Sequence, residues 1–187
     1  MLVLVLLVAS LLAALTALAQ RRLASIALMA GLSHVPLLTL LFLESPLKGT
    51  TYLASVALAT GAALYVSRRL ETRLGTDELD ELGGLYAGFP LTSWSFIGAA
   101  LALTMFPPFP QFLAEHYIAG LVGTSVACVL LLAITRILLL GAMFYAVRRV
   151  FFGPPRVHGG ESAADYAVPA LLVFLSLTLG VIVMLRG

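Results

Sequence analysis

Apolar stretches alternate with short polar ones along the whole chain. Residues 2–19 are almost unbroken Leu, Val and Ala, and Arg21 and Arg22 end the run. At about 1.5 Å per residue, such a segment just spans a hydrocarbon core of about 30 Å. A second stretch, about 23–43, contains His34 and Pro36. It gives way to Glu44-Ser45-Pro46-Leu47-Lys48-Gly49, where Pro46 and Gly49 disfavour helix and predict a polar turn. A third runs about 50–67 and stops at Arg68-Arg69. A fourth, about 91–120, is too long for one straight span. A fifth covers about 124–147, with Arg136 near its middle and Arg148-Arg149 behind it, and a sixth covers about 166–185. Residues 68–90 and 151–165 are polar loops, the first a solvated mixed-charge connector at the membrane surface. The pattern predicts a single membrane domain over residues 1–187: an all-α integral membrane protein of six transmembrane helices. The N-terminal run lacks a basic leading segment, so it is read as a retained helix rather than a signal peptide.

The fourth stretch is broken at Pro107-Pro108. Residues 104–115 read Thr-Met-Phe-Pro-Pro-Phe-Pro-Gln-Phe-Leu-Ala-Glu. Pro107, Pro108 and Pro110 cannot share one regular helix, because each removes a backbone donor and its ring crowds the preceding turn. In lipid the freed carbonyls need partners from protein or trapped water. A broken membrane helix with an acid beside the break is a setting in which ion pathways are built.

Composition agrees with the pattern. Of the 187 residues 61% are hydrophobic and only 11% charged, against about 25% charged in soluble domains. The net charge of +2 gives no reason to expect nucleic acid as a partner. Cys128 is alone, which excludes a disulfide framework. There is no Gly-rich phosphate loop, no nucleophile elbow and no clustered His/Cys/Asp set. No cofactor, metal or catalytic site of its own is therefore expected. The lipid bilayer is the one partner that composition alone implies.

Basic residues orient the spans. The loops after the first, third and fifth segments hold Arg21, Arg22, Arg68, Arg69, Arg73, Arg148, Arg149 and Arg156, whereas the opposite side holds Lys48 and Arg186. The Arg-rich loops are expected to be cytoplasmic, with both termini outside.

Glu115 is the leading candidate for chemistry. An ionised carboxylate is costly at membrane depth, and a group that exchanges a proton there suits a relay; the alternative is an acid at a helix end reaching water. Arg136 stays protonated, so it would tune a proton path as a counter-charge rather than carry protons; the alternative is an anchor for lipid or a partner. His116 and His34 are the other titratable neighbours. His116 follows Glu115 about 100° round the helix, and His34 serves equally as a polar packing residue. His158 lies in a loop and Glu44 at a membrane interface. Tyr52, Tyr65 and Tyr117 read as interfacial or packing aromatics.

Several motifs, in order, resemble a known family. Leu82-Gly83-Gly84-Leu85, then Phe89-Pro90-Leu91-Thr92, then the Phe-Pro-Pro-Phe break and Glu115 are similar to the antiporter-like proton-translocating subunits of respiratory complex I, membrane-bound hydrogenases and multisubunit cation/proton antiporters. Those read roughly L-G-G-L, M-P-L-T, an apolar helix, G-L-P-P, and then Lys or Glu. The polar run Glu71–Leu85, Arg149–Pro154 (Arg-Val-Phe-Phe-Gly-Pro) and Ala19–Ala24 resemble flanking segments of the same family. The resemblance covers only the second of the family's two inverted halves. Where the family often carries His and, one turn on, Lys, this chain has Val56 and Thr60. The usual Gly after the break is Gln111, and the early histidine of the second span falls on Gly31, with His34 a turn later.

The resemblance implies a half-size subunit of a multisubunit proton-pumping complex in a cell inner membrane, with other membrane subunits as partners and any redox cofactor held by them. Glu115 would then stand where relatives carry their switchable charge. Two alternatives remain open at this level: a non-conducting structural or assembly subunit of such a complex, and a free-standing small proton or cation transporter.

Overall fold

The computed structural model describes residues 1–123, 125–154 and 159–186. Arg156 and His158 lie outside the described residues. Among the described residues eight α-helices follow one another: α1 (Leu2–Ala19), α2 (Leu23–Leu32), α3 (Val35–Glu44), α4 (Pro46–Leu74), α5 (Pro90–Leu103), α6 (Pro110–Val122), α7 (Val126–Phe151) and α8 (Ala163–Arg186), with a 3-10 turn at Leu85–Ala87 before α5. The protein is an all-α, multi-pass membrane protein. Helix α1, the pair α2–α3, and helices α4, α7 and α8 are each long and apolar enough to cross a bilayer. The shorter α5 is continued by α6 on the far side of the proline break.

The break runs from Thr104 to Phe109. Helix α5 ends at Leu103 and α6 starts with Pro110 at its first position, where a missing N–H removes no helical bond. Pro110 therefore starts a helix, and Pro107 and Pro108 make the interruption.

A second interruption is not apparent in the sequence. The stretch 23–43 reads as one continuous span, yet α2 ends at Leu32 and α3 begins at Val35. Pro36 supplies no N–H for the carbonyl one turn back, so the ladder loosens at Ser33 and His34. The Ser33 carbonyl accepts from the Ser10 hydroxyl of α1, at 2.5 Å.

Other boundaries shift for local reasons. The expected turn at 44–49 shrinks to Ser45, which is extended, and Pro46 opens α4 directly. Helix α4 then continues through Arg68–Leu74 and stops at Gly75, whose φ of +79° is the left-handed conformation that glycine adopts at low cost. Arg148 and Arg149 fall in the last turn of α7, where cations suit the carbonyl end of the helix.

The connector to α5 is not a solvated strip. Leu79, Leu82, Leu85 and Phe89 are buried in the core. Its backbone is stitched to the start of α2, with Leu23 N–H donating to Asp77 O at 2.9 Å and Leu79 N–H to Arg21 O at 2.8 Å. The buried Asp77 carboxylate faces Arg22 at 3.4 Å, and Asp80 meets Arg149 at 2.7 Å. Asp165, also buried, lies 3.5 Å from Arg69 and 3.2 Å from Arg73, joining the start of α8 to the end of α4.

The apolar interior divides by depth. One cluster centres on Ala59, Ala62, Ala63, Ala99 and Phe96 and reaches the connector leucines. Its small residues let α4 and α5 approach closely. The other gathers Leu7, Leu37, Leu41, Ile118 and Leu132 towards the face that holds the N-terminus.

Candidate functional site

Leu103 is the last residue of α5. The N–H that its carbonyl would normally accept belongs to residue 107, which is proline and has none. His34 supplies the missing donor. Its Nε2 lies 2.9 Å from the Leu103 oxygen, and its Nδ1 lies 2.6 Å from the Tyr52 hydroxyl. A carbonyl only accepts, so Nε2 carries the hydrogen and Nδ1 accepts from Tyr52. Both side chains are fully enclosed. The histidine thus links the interruption of one span to the interruption of another.

Arg136, on α7, lies beside Tyr52. Its Nε donates to Glu115 Oε1 at 3.2 Å. Arg136 keeps 11% of its side-chain surface exposed and Glu115 25%. Arg136 stands ten residues into α7, about 15 Å along the helix axis. The ion pair therefore sits at membrane depth, one turn beyond the proline break. The two terminal guanidinium nitrogens of Arg136 are buried without a hydrogen-bond acceptor.

A neutral cluster lies next to this charged one. Ser55 donates to Gln111 Oε1 at 2.8 Å, and Ser176 Oγ is 2.8 Å from Ser55 Oγ. All three residues are fully buried, and the Gln111 amide nitrogen has no partner. Ser55 lies one turn from Tyr52 on α4, and Gln111 one turn from Glu115 on α6, so the clusters share two helices.

The candidate residues are therefore distributed unevenly. Glu115, Arg136 and His34 belong to one network, whereas His116 is exposed on the outer side of α6. Tyr52, read from sequence as an interfacial or packing aromatic, is packed in the apolar core, with its hydroxyl donated to His34 and Arg136 nearby. Its spacing of three from Ser55 was the available signal, since two hydroxyls so placed share a helix face. Val56, at the family's histidine position, packs in the apolar cluster. Thr60 fits against Gly31, where a Cβ would collide with its side chain. Glu44 pairs with Lys48 at 3.1 Å near the membrane edge. No group of acidic, His or Cys side chains suited to a metal occurs among the described residues.

The fold has counterparts among solved structures. A chain of the Mrp complex from Dietzia sp. DQ12-45-1b superposes with a TM-score of 0.84 over 99% of this chain and 44% of its own, at 21% identity. A chain of respiratory complex I from Thermus thermophilus gives 0.83 over 96% of this chain and 40% of its own, at 23% identity. The fold is thus that of an antiporter-like membrane subunit. In sequence the chain is similar to NADH-quinone oxidoreductase subunit N of Anaplasma phagocytophilum (strain HZ), 28% identical over 58% of this chain and 25% of the relative. The chain spans a quarter of the length of that relative and less than half of the structural ones. No protein-family model matches it.

Proposed function

We propose that this chain is a subunit of a multisubunit ion-translocating complex of an inner membrane, related to respiratory complex I or the Mrp complex, and that it contributes a proton half-channel around Glu115. The observation that carries the reading is the Glu115–Arg136 ion pair, held at membrane depth one turn past a proline break. A carboxylate there is stable when paired and must be neutralised or re-solvated when the pair opens, so its proton and its partner are coupled. Arg136 keeps its charge and acts as the fixed counter-ion. Tyr52 and His34 extend the network inward. The Arg-rich loops face the cytoplasm in this reading, and other membrane subunits cover part of the apolar exterior.

The test is Glu115→Gln in the assembled complex, with protons moved per turnover measured in sealed vesicles. The expected result is a reduced proton yield with assembly intact. Unchanged coupling in an assembled complex would overturn the reading. It would then favour the bracing role, to which the apolar packing of Val56 already lends weight.

A further inference from the structure

Helices α1 and α7 pack on each other and both end on the arginine-rich face. A pocket of about 410 Å³ opens there between them and the connector. Leu18, Gln20 and Arg21 line it from the end of α1, Leu79 and Asp80 from the connector, and Tyr145 from α7. Helix α1 has 18 residues, so its length of about 27 Å only just crosses the hydrocarbon core. Gln20 and Arg21 therefore stand at headgroup level. The exposed Leu18 and Leu15 lie one and two turns below them, among the acyl chains.

Cations outnumber anions around this pocket. Asp80 takes Arg21 at 3.6 Å and Arg149 at 2.7 Å. Arg148 is exposed, and its guanidinium has no partner among the described residues. It shares a face of α7 with Tyr145, one turn earlier, and continues the outward stripe of Ile137, Gly141 and Phe144. Three arginines thus meet one carboxylate at the rim, since Arg22 is already held by Asp77. The carboxyl ends of α1 and α7 each add about half a negative charge, which lowers the surplus without reversing it. At the opposite membrane edge Lys48 is matched by Glu44 and leaves no such surplus. The pocket therefore attracts an anion, and it stands where acyl chains begin.

We propose that this pocket holds the phosphate of an anionic phospholipid. Arg21 and Arg148 are its cationic partners, Gln20 supplies an uncharged donor, and an acyl chain follows Leu18 and Leu15. The bound lipid ties the end of α1 to the end of α7 across the connector. The assignment is independent of the half-channel reading.

The test reads lipid preference at one position. The full chain carrying Cys128→Ser and Leu15→Cys is labelled with a bimane and reconstituted in bilayers of phosphatidylcholine and phosphatidylglycerol. Bromine on the acyl chains of one lipid or the other quenches the bimane, and the two quenching curves give the preference beside residue 15. Phosphatidylglycerol is expected to be preferred. Arg21→Gln and Arg148→Gln are each expected to lower that preference about five-fold, the usual contribution of one basic residue at an anionic surface. Arg148→Lys is expected to keep most of it. Arg68→Gln, exposed on the same face and paired with Glu71, is expected to leave it unchanged. The two pocket arginines lie on different elements, so a variant that inserts poorly leaves the other to decide. Equal quenching by both lipids with all arginines in place would overturn the proposal. So would an equal loss in Arg68→Gln, which would mark diffuse surface charge. Loss of the preference in inorganic phosphate, at constant ionic strength, would show a free-anion site and overturn the lipid assignment.

Discussion

His34 donates from Nε2 to the carbonyl of Leu103, the acceptor that Pro107 leaves without its helical partner. Replacing His34 by Leu keeps the bulk and removes the donor. It strands both the Leu103 oxygen and the Tyr52 hydroxyl. The expected loss is about 1–3 kcal/mol for each group left unpaired, read as a lower unfolding temperature in detergent. His34→Gln, which keeps an amide donor, is expected to recover part of it.

The Glu115–Arg136 pair makes a prediction about non-additivity. Removing one member leaves the other charged at membrane depth, which typically costs about 3–5 kcal/mol. Glu115→Gln with Arg136→Met removes both charges. The double variant is expected to be more stable than Glu115→Gln alone or Arg136→Met alone. Chemical denaturation of the three variants checks it.

Gly180 of α8 lies where the Pro108 carbonyl and the Pro110 ring approach most closely, and a Cβ built there would collide with both. Gly180→Ala is therefore expected to push α8 from the break at a cost of about 1–3 kcal/mol, the usual scale of overpacking. Thermal unfolding checks the cost. Gly141→Ala on α7, where nothing stands within 4 Å of the added carbon, is the neutral comparison.

Glu161 caps α5 from a distant loop. Its carboxylate accepts from Leu91 N–H at 3.1 Å, from Thr92 N–H and from the Thr92 hydroxyl at 2.6 Å. Glu161→Ala leaves those amides to solvent and costs about 1 kcal/mol, as for other lost caps. Hydrogen–deuterium exchange is expected to rise at the first turn of α5, with the middle of α4 unchanged.

How much of this was legible in the chain depends on how local the cause was. The Pro107-Pro108 break could be read directly, because a missing N–H acts within one turn. So could the pairing of odd-numbered loops with arginine. The break at His34 could not, since Pro36 sits at a position of α3 that tolerates it and leucines continue on both sides. A carbonyl freed at that break is met by Ser10, 23 residues earlier, a partner that no local pattern announces. The connector misled for a related reason. Leu79, Leu82, Leu85 and Phe89 recur every three or four residues, but their acidic neighbours dominate the composition. Glu115 and Arg136 stood out as charges in apolar surroundings, whereas their contact depends on how α6 leans on α7, which no local pattern encodes. The bond from Tyr52 to His34 was not legible, because a tyrosine near a helix end usually marks an interface.

The shared hydrogen bond between the two interruptions has a mechanical consequence. Helix α2 is stitched to the connector and α5 is capped by Glu161, both on the arginine-rich face. Their continuations α3 and α6 begin beyond the joint that His34 bridges. The imidazole grips the last carbonyl of α5, so the two inner half-helices are fastened to each other where both spans break. A tilt of α6 would change the Glu115–Arg136 separation without loosening that fastening.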